Sequence, residues 1–407
     1  MKHDKITQSA TTELRAEVVD NHADFLKSRQ DWQALEQIDP QASVFLSWDW
    51  MAEAFRDTLY RWSVIVVRKA TPAAEIVCIV PLKYRVHWSN SRQEFQTELQ
   101  AAGRLLWSEY TGFVCAPDHE RDGLIAAAAK LARMPWVKLS MRYVGQHERC
   151  RIFTDALTEN GFSVRYKEYL INQKQTNNLK CPQIDLPQDF DDYLKTQISR
   201  NKRQQYNRFK RRHLDTGEYH ITAGNDATLE SDLDALLKFW KTKWRDQKGA
   251  ALAERVAQNY RDILSAAHRT GNLFLPVLRQ GDTPLGALGH IVDHRKGMVH
   301  FILVGRDTGA QEHFVGAALH FFSIEWAIAQ GYAVYDFCHG DEPYKYGYGA
   351  QDIELLYFEA RRKELSPDAV FDSLSLGAAL KRMETFIEEG RTSRAARGCA
   401  QLAKLLS

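Results

Sequence analysis

The sequence predicts an α/β (α+β) protein of two tandem domains, each a mixed, twisted sheet flanked by helices, with a helical tail behind them. Three observations carry that prediction. At 407 residues the chain is too long for one core of ordinary size. A hairpin–helix–strand–helix–strand order up to about residue 170 is followed, after a polar proline-bearing stretch, by helices, strands, a buried helix and more strands. Beyond Asp372 apolar and basic residues alternate at helical spacing. The expected division is residues 1–175, 176–365 and a tail over 366–407.

The elements follow from local pattern. Residues 31–59 read as two helices broken at Asp39-Pro40, with Trp48, Met51, Ala52 and Phe55 on one face. "WSVIVVRKATPAAEIVCIVPLKYRV" gives two β-branched runs around a Thr-Pro turn, a hairpin. "DGLIAAAAKLARM" is an Ala-rich helix, "WVKLSM" a short strand, and "CRIFTDALTENGF" a helix stopped at Gly161. "NQKQTNNLKCPQIDLPQ" is polar and carries prolines, which places the domain junction there. One long helix is expected from Asp189 to His213, with Phe190, Leu194 and Ile198 a turn apart. Two more helices precede "GNLFLPVLRQGDTPLGALGHIVDHRKGMVHFILVGR", three strands joined by Gly-Asp and Lys-Gly turns. "FVGAALHFFSIEWAIAQG" is apolar almost all round, hence a buried helix. "AVYDFC" and "IELLYFEARR" are strands that close the second domain.

Hydrophobic residues at 44% and charged residues at 26% are values of a soluble globular chain. A net charge of +2 argues neither for nor against an anionic partner, so any such preference rests on local clustering. None of the six cysteines forms a C-x-x-C pair, which excludes a zinc knuckle or dithiol redox motif. Scattered thiols fit a reducing compartment. The polar N-terminal stretch lacks the apolar core of a signal peptide, and no apolar run approaches the roughly 20 residues of a membrane span. A soluble, cytoplasmic protein is expected.

The stretch "YDFCHGDEPYKYGYG" (335–349) gathers reactive groups around three glycines. Tyr-Asp-Phe closing a strand, a Gly three residues on, and Tyr-Lys-Tyr-Gly-Tyr-Gly resemble the C-terminal motif of Fem-type aminoacyltransferases. Asp336, Phe337, Gly340, Asp341, Tyr344 and Lys345 are more similar still to the CelD/BioF2-like acyltransferases of cellulose and exopolysaccharide biosynthesis, a group within the GNAT superfamily. Phe45, Leu46, Ser47 and Trp50, and then Tyr193, Leu194, Ser199, Arg200 and Arg203, extend the likeness over roughly residues 30–362. The element order of the second half is also that of the acyl-CoA N-acyltransferase fold, in which neighbouring central strands splay to admit the carrier.

The resemblance implies two tandem GNAT-like acyltransferase domains, with chemistry in the second. Acetyl-CoA or another acyl-CoA would be the co-substrate, and an amine or hydroxyl of a saccharide or cell-envelope precursor the acceptor. Lys345 takes the place of the motif lysine at the transfer centre. Its charge would stabilise an oxyanion, worth on the order of 3 kcal/mol for a donor in a dry site. Asp336 or Asp341 would act as general base if burial raises its pKa. One of Tyr344, Tyr346 and Tyr348 would protonate the leaving group, and Tyr348 is also a candidate substrate contact. The carrier loop corresponds to His313, Val315, Gly316, Ala317 and Ala318, at the head of the buried helix. With no activated nucleophile in view, transfer would be direct, within a ternary complex.

Other features have two readings each. The run "RNKRQQYNRFKRR" (200–212) holds seven cations and no acid. It is either a solvated helix face or an anion-contacting one, with Arg200 and Arg203 as substrate contacts. An aminoacyl-tRNA donor is the alternative it leaves open, and no heptad arm supports it. A silent scaffold is the third reading. His290, His294 and His300 share a hairpin on which His290 and His300 would approach; structural or substrate-contacting roles, with His300 as the substrate contact, are preferred to a metal site, because no cysteine or carboxylate completes a set of known spacing. Cys338-His339 is discounted as a nucleophile–base pair. Trp240 and Trp244 are read as core, with Arg245 turned toward solvent or substrate. Lys345 paired with Asp341 or Glu342 at the surface would be worth little.

Overall fold

The structure, a computed structural model, describes residues 13–309 and 312–406; the first twelve residues of the polar N-terminal stretch lie outside them. Strands β1 (Leu14–Val19), β2 (Trp62–Lys69), β3 (Ile76–Ser89), β4 (Glu94–Ala101), β5 (Val114–Cys115), β6 (Lys138–Val144) and β7 (Phe162–Tyr166) belong to the first sheet. β8 (Leu170–Ile171) and β9 (Thr176–Asn177) form a separate small hairpin. β10 (Lys180–Asp185), β11 (His220–Ala223), β12 (Leu273–Phe274), β13 (Pro276–Gln280), β14 (Thr283–Asp293), β15 (Met298–Arg306), β16 (Val334–Asp336) and β17 (Gln351–Glu354) make the second sheet. The last strand, β18 (Leu356–Arg362), returns to the first.

The two sheets repeat one order. The first runs β1-β2-β3-β4-β6-β18-β7 and the second β11-β13-β14-β15-β16-β10-β17. The sixth place in each is taken by a strand from outside the unit's own run. β10, expected only as polar junction, lies between β16 and β17. β18, expected to close the second unit, lies between β6 and β7. Its buried Phe358 and Ala360 belong to the first unit's core, so side-chain pattern marks it as a strand without saying whose. The exchange ties the units together through main-chain hydrogen bonds.

Helices α1 (His22–Lys27), α2 (Arg29–Ile38), α3 (Trp48–Arg56), α4 (Glu120–Ala132) and α5 (His147–Glu159) surround the first sheet. Phe25 stacks on Trp48 at 5.0 Å and Phe55 on Trp62 at 4.1 Å, an aromatic cluster that fixes α1 and α3 against β2. In the second unit the helix expected over 189–213 is broken. α6 (Phe190–Thr196) ends, and Ser199 caps α7 (Arg200–Phe209) by accepting the Lys202 N–H.

α8 (Leu229–Lys248) and α9 (Ala250–Arg269), joined at Gly249, lie on the body of the second sheet and do not project as an arm. α10 (Val315–Ala329) covers the opposite face. A Cβ at Gly286 of β14 would meet Val315, and one at Gly289 would meet Leu264 of α9, as the two-residue alternation of a strand requires. α11 (Pro343–Tyr346) is a single turn in the 335–349 loop. The tail holds α12 (Pro367–Val370), α13 (Leu376–Glu388) and α14 (Thr392–Leu406). It packs on the chain's own first sheet, with Phe386 and Met383 against Trp88 and Phe95. Gln401 pairs with the Phe95 main chain at 2.6 and 2.9 Å. Among the described residues no helix is long and apolar enough to cross a membrane.

Candidate active site

β15 and β16 run parallel and in register for three pairs only, the last being His300 with Asp336. β15 continues to Arg306, still paired with β14. β16 stops. The chain beyond Asp336 keeps its bonds to the β10 side, Phe337 N–H to Pro182 O at 2.9 Å and Gly340 N–H to Lys180 O at 2.8 Å. Cys338 adopts a left-handed φ of 53°, a bend the Asp336 Oδ1 supports by accepting the Cys338 N–H at 2.8 Å. The strands therefore part after His300 and Asp336, leaving one edge of β15 without a strand neighbour among the described residues.

A cleft of about 850 Å³ fills the gap and extends to the first unit. Phe301 and Leu303 of β15, Gly316 and Ala317 of α10, and Cys338, His339, Lys345 and Tyr348 of the loop line it. Across from them stand Arg104, Trp107, Glu109 and Tyr143 of the first unit, and Trp240, Trp244 and Tyr260 of α8 and α9. The two tryptophans thus form wall, not only core. Arg245 turns to a separate groove between α8 and α9.

Lys345 is buried, with its ammonium turned into the protein. It donates to His339 O at 2.7 Å and Gly340 O at 2.9 Å, with Cys338 O at 3.4 Å and the Glu342 carboxylate at 2.9 Å. An ammonium has three protons. All are engaged in holding the loop's carbonyls, so this lysine shapes the wall beside the gap and presents no free donor to it. The surface pair with Asp341 does not form; Asp341 instead accepts the Asn177 N–H at 2.7 Å, fixing the β8–β9 hairpin. Gly340, at φ 96°, needs the left-handed region, and a Cβ there would lie 2.7 Å from Glu342 Oε2.

Asp336 is fully buried behind the cleft. Its Oδ2 accepts from Tyr110 Oη at 2.6 Å and from His300 Nδ1 at 2.8 Å. Burial pushes its carboxyl up, but the hydrogen bond and charge of His300, then Tyr110 and the Cys338 N–H, together hold it below the usual carboxylate value. A base role was expected to need a raised pKa; the shift runs the other way. Neither Asp336, Asp341 nor His300 lines the cleft. A strand bulge at Gly289/His290 sets Phe301, not His300, opposite His290, so the two histidines face apart. The carboxylate and thiol missing from the sequence reading do reach His300: His300, Asp336 and Cys338 offer atoms within 4.8 Å of one another. Hydrogen bonds account for that spacing. Burial pushes the Cys338 thiol well up, so it stays protonated and is a poor nucleophile. His339 pairs with Glu109 of the first unit at 2.8 Å and stacks on Tyr143 at 3.5 Å.

Tyr344 lines the cleft with nearly half of its surface open; partial burial, then the Glu342 carboxylate, raise its phenol above the ordinary value. It stays protonated and able to donate. Tyr348 is buried beneath Lys202, whose ammonium lies 3.1 Å from the ring centroid; burial brings that lysine down to about 8. Of the carrier-loop residues, His313, Gly316 and Ala317 line the cleft, whereas Val315 and Ala318 point into the core. Arg200 is exposed on the outer face of α7, and Arg203 donates to Leu194 O at 3.1 Å; neither reaches the cleft. The earlier motif pieces support the loop from behind: Tyr193 Oη donates to Tyr348 O at 3.0 Å, and Phe45 packs 5.2 Å from the His300 ring.

Glu109, Tyr110 and His320 escaped the sequence reading, and Tyr335 entered it only as part of the strand-end motif. The first two sit in an unremarkable loop far along the chain from the motif. His320 gave one signal, a lone titratable group on the helix otherwise read as apolar all round.

Residues 200–346 match the family model described as an acetyltransferase (GNAT) domain, the span from α7 to α11. No curated protein matches the chain. Among solved structures the chain is similar to the crystal structure of FemX, at 12% identity over 84% of this chain and 96% of that one, with a TM-score of 0.58. It is also similar to a conserved protein of unknown function from Bacteroides thetaiotaomicron VPI-5482 (14% identity, 86% and 100% covered, TM-score 0.49). A third is a tandem GNAT protein from the clavulanic acid biosynthesis pathway (9% identity, 86% and 100%, TM-score 0.48). The FemX likeness establishes the fold alone. The match to the acetyltransferase (GNAT) model falls on the second unit, which supplies most of the cleft's lining, with Arg104, Trp107, Glu109 and Tyr143 coming from the first.

Proposed function

We propose that the protein transfers an acyl group from acyl-CoA, acetyl-CoA in the simplest case, to an amine or hydroxyl of a saccharide or cell-envelope precursor. The single observation that carries this reading is the parting of β15 from β16 beside an 850 Å³ cleft. A free strand edge is a template for a ligand with amide groups, and a pantetheine arm has two. The first turn of α10 at Gly316 and Ala317, with the Arg306 guanidinium and the His313 ring nearby on the cleft wall, offers N–H groups and a cation to the carrier's phosphates. The acceptor enters from the first unit, between Trp107, Tyr260 and Trp240, rings suited to the flat face of a sugar. Lys345 braces the loop, and Tyr344 supplies the proton to the departing thiolate. The motif residues Asp336, Phe337, Gly340, Asp341, Tyr344 and Lys345 support a place in the CelD/BioF2-like group and hence a polysaccharide-related acceptor.

Calorimetric titration with acetyl-CoA tests the reading. Micromolar binding is expected, and Gly316→Trp, whose Cβ has no neighbour closer than 4.0 Å, should fold and weaken it by about 100-fold or more. The exposed basic face of α7 favours a second reading, an aminoacyl-tRNA donor. A protein that ignores acetyl-CoA but binds tRNA with strong salt dependence would replace the first with the second.

A further inference from the structure

A chain of three buried polar side chains lies under the cleft. His290 Nδ1 is 3.2 Å from Phe274 O, His290 Nε2 is 3.0 Å from Tyr335 Oη, and Tyr335 Oη is 2.9 Å from His320 Nδ1. His290 and Tyr335 have no exposed surface, and His320 has 3%, on the side that lines the cleft. The proton positions follow from which atoms can only accept. A carbonyl has no proton, so His290 Nδ1 must donate to Phe274 O. Burial holds His290 down to about 3, so the ring is neutral and its Nε2 carries a lone pair. Tyr335 must then give its only proton to that nitrogen. Its oxygen, having none left, accepts from His320 Nδ1. Burial, then the ammonium charges of Lys202 and Lys345, keep His320 well below the ordinary imidazole value; His290, itself neutral, adds no charge. One proton on Nδ1 of a neutral ring leaves Nε2 bare. Among the described residues that atom has no protein partner, yet it is not sealed off, unlike the Nε2 atoms of His300 and His339, which are unpartnered and buried.

Resting on the acyl-transfer reading, we infer that His320 is the general base, its Nε2 held as an open lone pair at the cleft by the Phe274–His290–Tyr335 chain. For an amine acceptor the ammonium gives one proton to His320 Nε2, and the free amine attacks the thioester carbonyl. The N–C bond forms and the C–S bond breaks. The second N–H proton, lost from the tetrahedral adduct, neutralises the departing thiolate with Tyr344 as its relay, and His320 returns its proton to water. Tyr335 and His290 are positioning residues, since they act only by fixing which nitrogen of His320 is free. Burial keeps the ring neutral at rest, so Nε2 is unoccupied at neutral pH; the same shift makes it a weak base, whose imidazolium passes its proton on to water at once.

Two measurements decide this. Long-range proton–nitrogen correlation of the histidine-labelled wild-type protein should show His320 as the neutral Nδ1–H form, with Tyr335→Phe shifting it toward Nε2–H. A wild-type Nε2–H form overturns the assignment on its own, whether or not an acceptor has been found. Thiol release from acetyl-CoA with glucosamine as the amine probe should fall about 100-fold or more in kcat for His320→Gln, with calorimetric acetyl-CoA binding retained. Retained turnover in that variant refutes the base role and leaves the acyl-transfer reading intact. Absence of acetyl-CoA binding by the wild type brings down both.

Discussion

The two sheets meet the same problem at the same place and solve it differently. In the first, β4 and β6 run parallel for three register pairs, ending at Gln100 with Ser140; in the second, β15 and β16 do so, ending at His300 with Asp336. Beyond the last pair of the first sheet the chain plugs its own gap. Thr111 bridges to Val144, its N–H bonds Tyr143 O at 2.9 Å and its hydroxyl bonds Arg142 O at 2.6 Å. Beyond the last pair of the second sheet no segment enters among the described residues, and the cleft remains. An unpaired strand edge is costly unless something satisfies it. The first unit uses its own backbone, which leaves the second as the place where a ligand can do so.

Three perturbations probe that contrast, in order of expected size. Asp336→Ala leaves Tyr110 Oη, His300 Nδ1 and the Cys338 N–H buried without their acceptor, and should cost about 3–5 kcal/mol in urea unfolding at neutral pH. Because the folded carboxyl is held below its unfolded value, its stabilisation is present above about pH 3.9 and is lost as pH falls through the folded value. The gap between wild type and Asp336→Ala should therefore narrow in acid, and a constant gap would contradict the shift. Lys345→Met strips His339 O and Gly340 O of their donor, and should cost about 2 kcal/mol while slowing turnover. Lost turnover without lost stability would instead restore the oxyanion role. Gly112→Ala attacks the plug: φ is 148° and the new Cβ would sit 2.2 Å from Gln146 Oε1, the acceptor of the Phe113 N–H. It should cost about 1–3 kcal/mol and leave acetyl-CoA binding unchanged, since Thr111 already occupies the first gap. Weaker carrier binding in that variant would mean that the first gap is not merely structural.

Much of the site was legible because its residues are neighbours in sequence. Asp336, Gly340, Tyr344 and Lys345 fall within one loop, and glycines beside an aromatic strand end mark a sharp turn whatever follows. What that loop faces was not legible. Glu109 and Tyr110 lie more than two hundred positions away and carry no local pattern, and the inward turn of Lys345 depends on three carbonyls that exist only once the loop is bent. Arg203 shows the converse: a cation in a basic run is drawn to the end of α6 because a helix leaves carbonyls there without partners.

The sequence by itself determined the mixed α/β class, the repeated element order and the chemical content of the 335–349 loop, because apolar period and turn chemistry act over a few residues. Tertiary structure alone decided which sheet receives β10 and β18, which gap stays open, and which nitrogen of His320 is bare. Those outcomes depend on hydrogen-bond partners brought together from distant parts of the chain, and a strand's own residues do not specify which edge it will join.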